Sequence, residues 1–120
     1  MDLIKIELTI SVQRLKDLLV CAFEGGSNYW YDELEPIREV SIADHPSDAF
    51  YENLVNQGFN LRDKYTGKIH QVKPSTFESA FKRMSSATPK HFQDFMNEND
   101  DAETGDVFLQ LLVFEKVIYG

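Results

Sequence analysis

The sequence predicts an α+β domain spanning residues 1–120, and three observations carry that prediction. Apolar residues alternate every second position near the start, they recur at helical spacing over the last third, and a glycine-containing turn separates two short β-prone runs between them. At 120 residues with 42% hydrophobic content the chain can bury one core but not two.

Ile4, Ile6, Leu8 and Ile10 share one face of a strand over Leu3–Ile10, opposite Lys5, Glu7 and Thr9. Ser11 stands where an N-cap belongs, ahead of a helix whose apolar stripe is Val12, Leu15, Leu18, Leu19, Ala22 and Phe23. Gly25 is the expected left-handed stop of that helix. A strand or loop near Asn28–Tyr31 and a strand near Ile37–Ile42 follow, with Pro36 between them. Ser47 is a candidate cap for a helix through Phe50 and Leu54 that stops at Gly58. Residues Phe59–Val72 read as a hairpin turning through Lys64-Tyr65-Thr66-Gly67, with Gly67 left-handed.

The helical third opens with Ser75-Thr76-Phe77-Glu78, a capping-box pattern, and buries Phe77, Ala80, Phe81 and Met84. Thr88-Pro89 restarts a helix burying Phe92, Phe95 and Met96, because proline suits the first helical position. Asp101 or an acidic neighbour begins a last helix carrying Val107, Phe108, Leu111 and Leu112. A short strand is expected within Phe114–Gly120.

Charge narrows the function. Twelve bases against twenty acids leave a net charge of −8, which disfavours general nucleic-acid binding because phosphate neutralisation dominates that affinity. The bases are concentrated: Arg62 to Lys90 contains seven of them and two acids, a +5 island in a remainder of −13. Such an island can select a small anion, and it also fits solvated surface lysines. A lone Cys21 permits no internal disulfide and suits a reducing cytoplasm. The N-terminus lacks signal-peptide features, and no apolar run nears the roughly 18–20 residues that span a membrane.

The stretch with most chemical content is Glu24-Gly25-Gly26-Ser27-Asn28-Tyr29-Trp30-Tyr31. Adjacent glycines beside amphipathic rings can cradle a ligand, and they can equally make a tight turn into a buried strand. As a ligand site, Gly26, Ser27 and Asn28 would approach closely, Tyr29 and Trp30 would stack on a base, and Arg62, Lys64 and Lys68 would neutralise phosphate. Gln110, set in an apolar stripe one turn after Asp106, must find partners if buried; it either braces the helix start or points into a cavity.

Other constellations are weaker. Acids between Asn97 and Asp106 miss the calcium-loop register, since Ala102 falls where glycine is needed and Phe108 where glutamate closes the loop. His45, His70 and His91 lack metal-site spacing. No phosphate loop, dinucleotide fingerprint or serine elbow is present, so no metal, no cofactor and no enzyme activity are expected.

The segment from Glu24 to Trp30, and the segment from Asp101-Ala102-Glu103-Thr104-Gly105-Asp106-Val107-Phe108-Leu109-Gln110 through Val117-Ile118-Tyr119-Gly120, resemble small proteins of bacteriophages and their bacterial hosts. Members usually carry glycine where this chain has Glu115. The resemblance implies a small accessory protein acting by binding, typically in counter-defence, in the host cytoplasm if phage-encoded. The leading expectation is therefore a homo-oligomer that sequesters a small anionic, nucleotide-like ligand. The alternative is an acidic inhibitor of a host defence protein such as a nuclease or CRISPR effector, with acids from Asp32 through Glu39 to Asp100 mimicking nucleic acid. A ligand-free accessory or structural protein is the third reading.

Overall fold

The computed structural model describes residues 8–40 and 46–120, with only the backbone of residues 46 and 47. Most of the expected strand over Leu3–Ile10 and the end of that over Ile37–Ile42 lie outside the described residues.

The α+β class holds: among the described residues five helices pack with one three-stranded antiparallel sheet. Helix α1, Val12–Cys21, begins where Ser11 Oγ accepts from the Arg14 amide at 3.2 Å. It buries Leu15, Leu18 and Leu19. It does not stop at a left-handed glycine. The chain widens into a π-type turn over Ala22–Gly26, in which Gly25 has φ 168°, an extended value open to any residue.

Strand β1 is Tyr31–Pro36, running through the proline that was expected to separate a strand or loop near Asn28–Tyr31 from a strand near Ile37–Ile42. Residues 28–30 form the turn that delivers it, and residues 37–40 are not strand. Helix α2, Pro46–Gln57, ends at Gly58, whose φ of 81° favours glycine. Strands β2 (Phe59–Asp63) and β3 (Ile69–Val72) make the expected hairpin, with Gly67 at φ 74°. The order is β1-β2-β3. Register puts Leu34, Phe59, Leu61 and Val72 on the core face, and Glu33, Glu35, Asn60 and Arg62 on the other.

A 3-10 turn at Pro74–Thr76 leads into α3, Phe77–Ala87. The capping box does not form, because Thr76 occupies the N-cap without a side-chain bond and turns its hydroxyl back to the Lys73 carbonyl at 2.7 Å. Helix α4, Pro89–Met96, has proline first, as its sequence implies, and buries Phe95 but leaves Met96 exposed. Helix α5, Ala102–Phe114, starts at Asp101, which accepts from the Thr104 amide at 3.0 Å.

Helix α5 is the axis of the molecule. Every residue from Thr104 to Leu112 is buried, as expected of a helix apolar nearly all round. It packs against α1, the π-type turn, α3, α4 and β3. Gly105 allows the closest approach: a methyl there would stand 2.6 Å from the Ala22 nitrogen and 2.7 Å from Cys21 Cβ. After α5 the chain reverses at Glu115 and lies back along the helix as a tail without strand structure, against expectation. Among the described residues no helix is long and apolar enough to cross a membrane.

Candidate functional site

The glycine-aromatic stretch and the α5 motif meet in one buried polar network centred on Asp106, which is 8% exposed. Its Oδ1 accepts from Ser27 Oγ at 2.8 Å and Trp30 Nε1 at 2.7 Å. Its Oδ2 accepts from the Tyr29 hydroxyl at 2.6 Å and Gln110 Nε2 at 3.1 Å. A carboxylate at this depth is tolerable because each oxygen receives two donors. One helical turn separates Asp106 from Gln110, so the two side chains project together from α5 toward the loop.

Gln110 carries the network to the tail. Its Oε1 accepts from the amides of Ile118 and Tyr119, both at 2.8 Å, and its Nε2 donates to the Tyr119 carbonyl at 3.1 Å. The Tyr119 hydroxyl then donates to Asp63 Oδ2 at 2.6 Å, while Asp63 Oδ1 accepts from the Tyr65 and Thr66 amides in the hairpin turn. Burial pushes the Asp63 carboxyl up, but the Tyr119 hydroxyl and the two amides outweigh it and hold the group below its ordinary value. The same bond pushes the Tyr119 phenol up to about 12. Burial, then the Asp106 carboxylate, raises the Tyr29 phenol well above its ordinary value.

This geometry reassigns several expected ligand contacts. Trp30 is 0% exposed, with its indole N–H committed to Asp106, so its faces meet protein. Tyr119 stacks on it at 5.8 Å and 24°, and Phe114 packs at 5.1 Å. Ser27 is equally buried. Gly26 serves packing, since a methyl there would collide with the Ala102 carbonyl at the start of α5. In this conformation protein therefore covers Trp30 and Ser27, while Gly26 is half-buried with α5 against one side. Gln110 braces the helix start and the tail.

Asn28 and Tyr29 remain exposed at the rim, Tyr29 at 38%. Arg62 is half-buried and engaged with Asp32 at 2.6 Å on the outer sheet face. Lys64 and Lys68 are exposed at the hairpin turn. That turn abuts the loop, because the Lys64 amide donates to the Trp30 carbonyl at 2.9 Å. Tyr65, expected only as part of the turn, is 64% exposed and leans on Tyr119 at 5.4 Å. The structure thus brings Asn28, Tyr29, Lys64, Tyr65 and Lys68 to one edge, and leaves Lys82, Arg83 and Lys90 on α3 and α4. The signal for Tyr65 was available in the sequence: an aromatic at a hairpin tip is solvent-facing unless something covers it.

The acidic face also breaks up. Asp32 is paired with Arg62, and Asp100 with Arg14 at 2.7 Å beneath a guanidinium that lies 4.5 Å over the Phe95 ring. Glu33, Glu35 and Glu39 stay exposed. A separate cleft of about 730 Å³ lies between the α1 entrance, α3 and α4, lined by Leu8, Ile10, Val12, Leu15, Phe77 and Phe92; no candidate residue lines it. Among the described residues no group of three or more His, Cys, Asp or Glu is placed to hold a metal. A scan against protein-family models, a search of curated proteins and a search of solved structures each find no match to this chain.

Proposed function

We propose that the protein acts by binding, and that it captures a small anionic, nucleotide-like ligand at the edge where the β2–β3 turn meets the glycine-aromatic loop. One observation carries this reading: the Lys64 amide bonded to the Trp30 carbonyl joins a basic, aromatic hairpin tip to a loop held rigid by Asp106. Lys64 and Lys68 neutralise phosphate, while Tyr29 and Tyr65 offer planar faces beside them. Rigid support matters because a surface already ordered loses little entropy on binding. The resemblance to small phage accessory proteins gives such capture a counter-defence purpose. The proposal also includes a homo-oligomer in a reducing host cytoplasm, where the unpaired, half-buried Cys21 is at home.

The nucleic-acid-mimic reading draws less support, because Arg62 and Arg14 neutralise two of the acids it relies on. Glu33 and Glu35 on the outer sheet face, with Glu39 beyond β1, remain exposed for it.

The test is calorimetric titration and thermal melting with linear and cyclic nucleotides, the parent nucleosides and inorganic phosphate. A phosphate-dependent rise in Tm for one nucleotide is expected, because a ligand of the native state stabilises it. K64A/K68A should abolish the rise without changing the ligand-free Tm, both side chains being solvent-exposed. No response across the panel refutes the reading.

A further inference from the structure

Tyr119 is held as a ligand would be held. Its ring lies within 5.8 Å of Trp30 at 24°, within 5.4 Å of Tyr65 at 40°, and edge-on to Phe114 at 5.8 Å and 74°. Its hydroxyl is received by Asp63, and its backbone by both ends of the Gln110 amide. Three rings and a carboxylate around a fourth ring make a pocket whose contents happen to belong to the same chain.

The segment carrying that ring is tethered lightly. It leaves α5 at Glu115, whose φ of 66° is a left-handed conformation that a side chain makes costly and that glycine occupies freely. Val117 and Ile118 are exposed. Among the described residues, the hydrogen bonds of residues 116–120 go to two side chains, Gln110 and Asp63. By contrast the slot behind is built on α5, the Asp106 network and the hairpin, each of which also has bonds of its own that do not involve the tail.

We propose that Tyr119 is a displaceable occupant of a ring-binding slot, and that the tail from Glu115 onward is the strap that opens it. The guest is a planar ring bearing a hydrogen-bond donor for Asp63, stacked on Trp30 where Tyr119 now lies. If it is a nucleotide base, its phosphate extends toward Lys64 and Lys68, the residues of the hairpin turn that flank Asp63. That last step rests on the function proposed above; the slot and strap do not. Trp30 then acts on ligand only with the strap open, which reconciles its burial with the aromatic character of the loop.

Two experiments test this separately from the nucleotide reading. In the first, Y119A is melted with and without p-cresol, the side chain it has lost. Binding of the phenol should raise the Tm of Y119A and leave wild type unmoved; no rise means the slot is not a receptor and overturns the proposal. Adenosine monophosphate is titrated into both proteins in parallel. With a minor open state of roughly 0.1–10%, removing the occupant should tighten binding roughly ten-fold or more. Phenol rescue without nucleotide binding would leave the slot standing and refute the nucleotide.

The second experiment needs no truncation. Native-state hydrogen exchange should show the Ile118 and Tyr119 amides opening well before that of Leu111, and E115G should slow them several-fold by relaxing the hinge. Exchange of all three only through global unfolding would show that the strap does not open, and would overturn the proposal even if Y119A failed to fold.

Discussion

Replacing Asp106 with alanine removes the one acceptor shared by four donors, and the cost can be built up from their environments. Ser27 Oγ and Trp30 Nε1 belong to residues that are fully buried, so each is left without a partner and without water. A buried donor stranded in this way costs about 1–3 kcal/mol. The Tyr29 hydroxyl sits at the protein edge and can turn to solvent, and Gln110 Nε2 keeps the Tyr119 carbonyl. The expected loss is therefore about 2–6 kcal/mol, a large share of the roughly 5–15 kcal/mol that holds a domain together. D106N keeps one oxygen for Ser27 and Trp30 but turns an amide against Gln110 Nε2, so it should lose about 1–3 kcal/mol. Urea unfolding followed by Trp30 fluorescence measures both, with unchanged slope showing that stability rather than compactness has moved. If D106A costs under about 1 kcal/mol, or less than D106N, the network is not what orders the loop.

Three other outcomes follow from the same contacts. The lowered Asp63 carboxyl gives stability that is present above its ordinary value of 3.8 and lost as pH falls through its folded value; the raised Tyr119 phenol gives stability present below pH 10 and lost as pH rises toward about 12. D63N should flatten the acid limb of a Tm–pH profile and Y119F should reduce the alkaline loss; unchanged limbs would separate these bonds from stability. G105A should cost about 1–3 kcal/mol in chemical denaturation by forcing α1 and α5 apart at Cys21 and Ala22, and a neutral result would show that the crossing can relax. E115G should stabilise by about 1 kcal/mol, raising Tm by a few °C, because it relieves a left-handed backbone and gives up only an exposed pairing with Arg83 at 3.5 Å. A lowered Tm would mean that this pairing outweighs the strain.

Local chemistry made the helices legible. The cap at Ser11, proline at the head of α4, the cap at Asp101, the helix stop at Gly58 and the left-handed Gly67 depend on neighbours within a few residues, and they appear where expected. Strand β1 was misplaced because Tyr31–Pro36 is rich in acids and ends in proline, and only pairing with β2 makes it a strand. The capping box failed because Thr76 turned its hydroxyl to Lys73 instead.

The sequence by itself determined the class, the order of helices, the concentration of bases and the distinctiveness of two motifs about 75 positions apart. Only the tertiary structure decided that those motifs are one object. Whether an aromatic faces ligand or core depends on what the rest of the chain lays over it. Here Asp106 draws Trp30 inward, Tyr119 covers it, and Tyr65 is left at the surface in its place. Those two contacts join residues 76 and 89 positions apart, and no spacing rule along the chain encodes them.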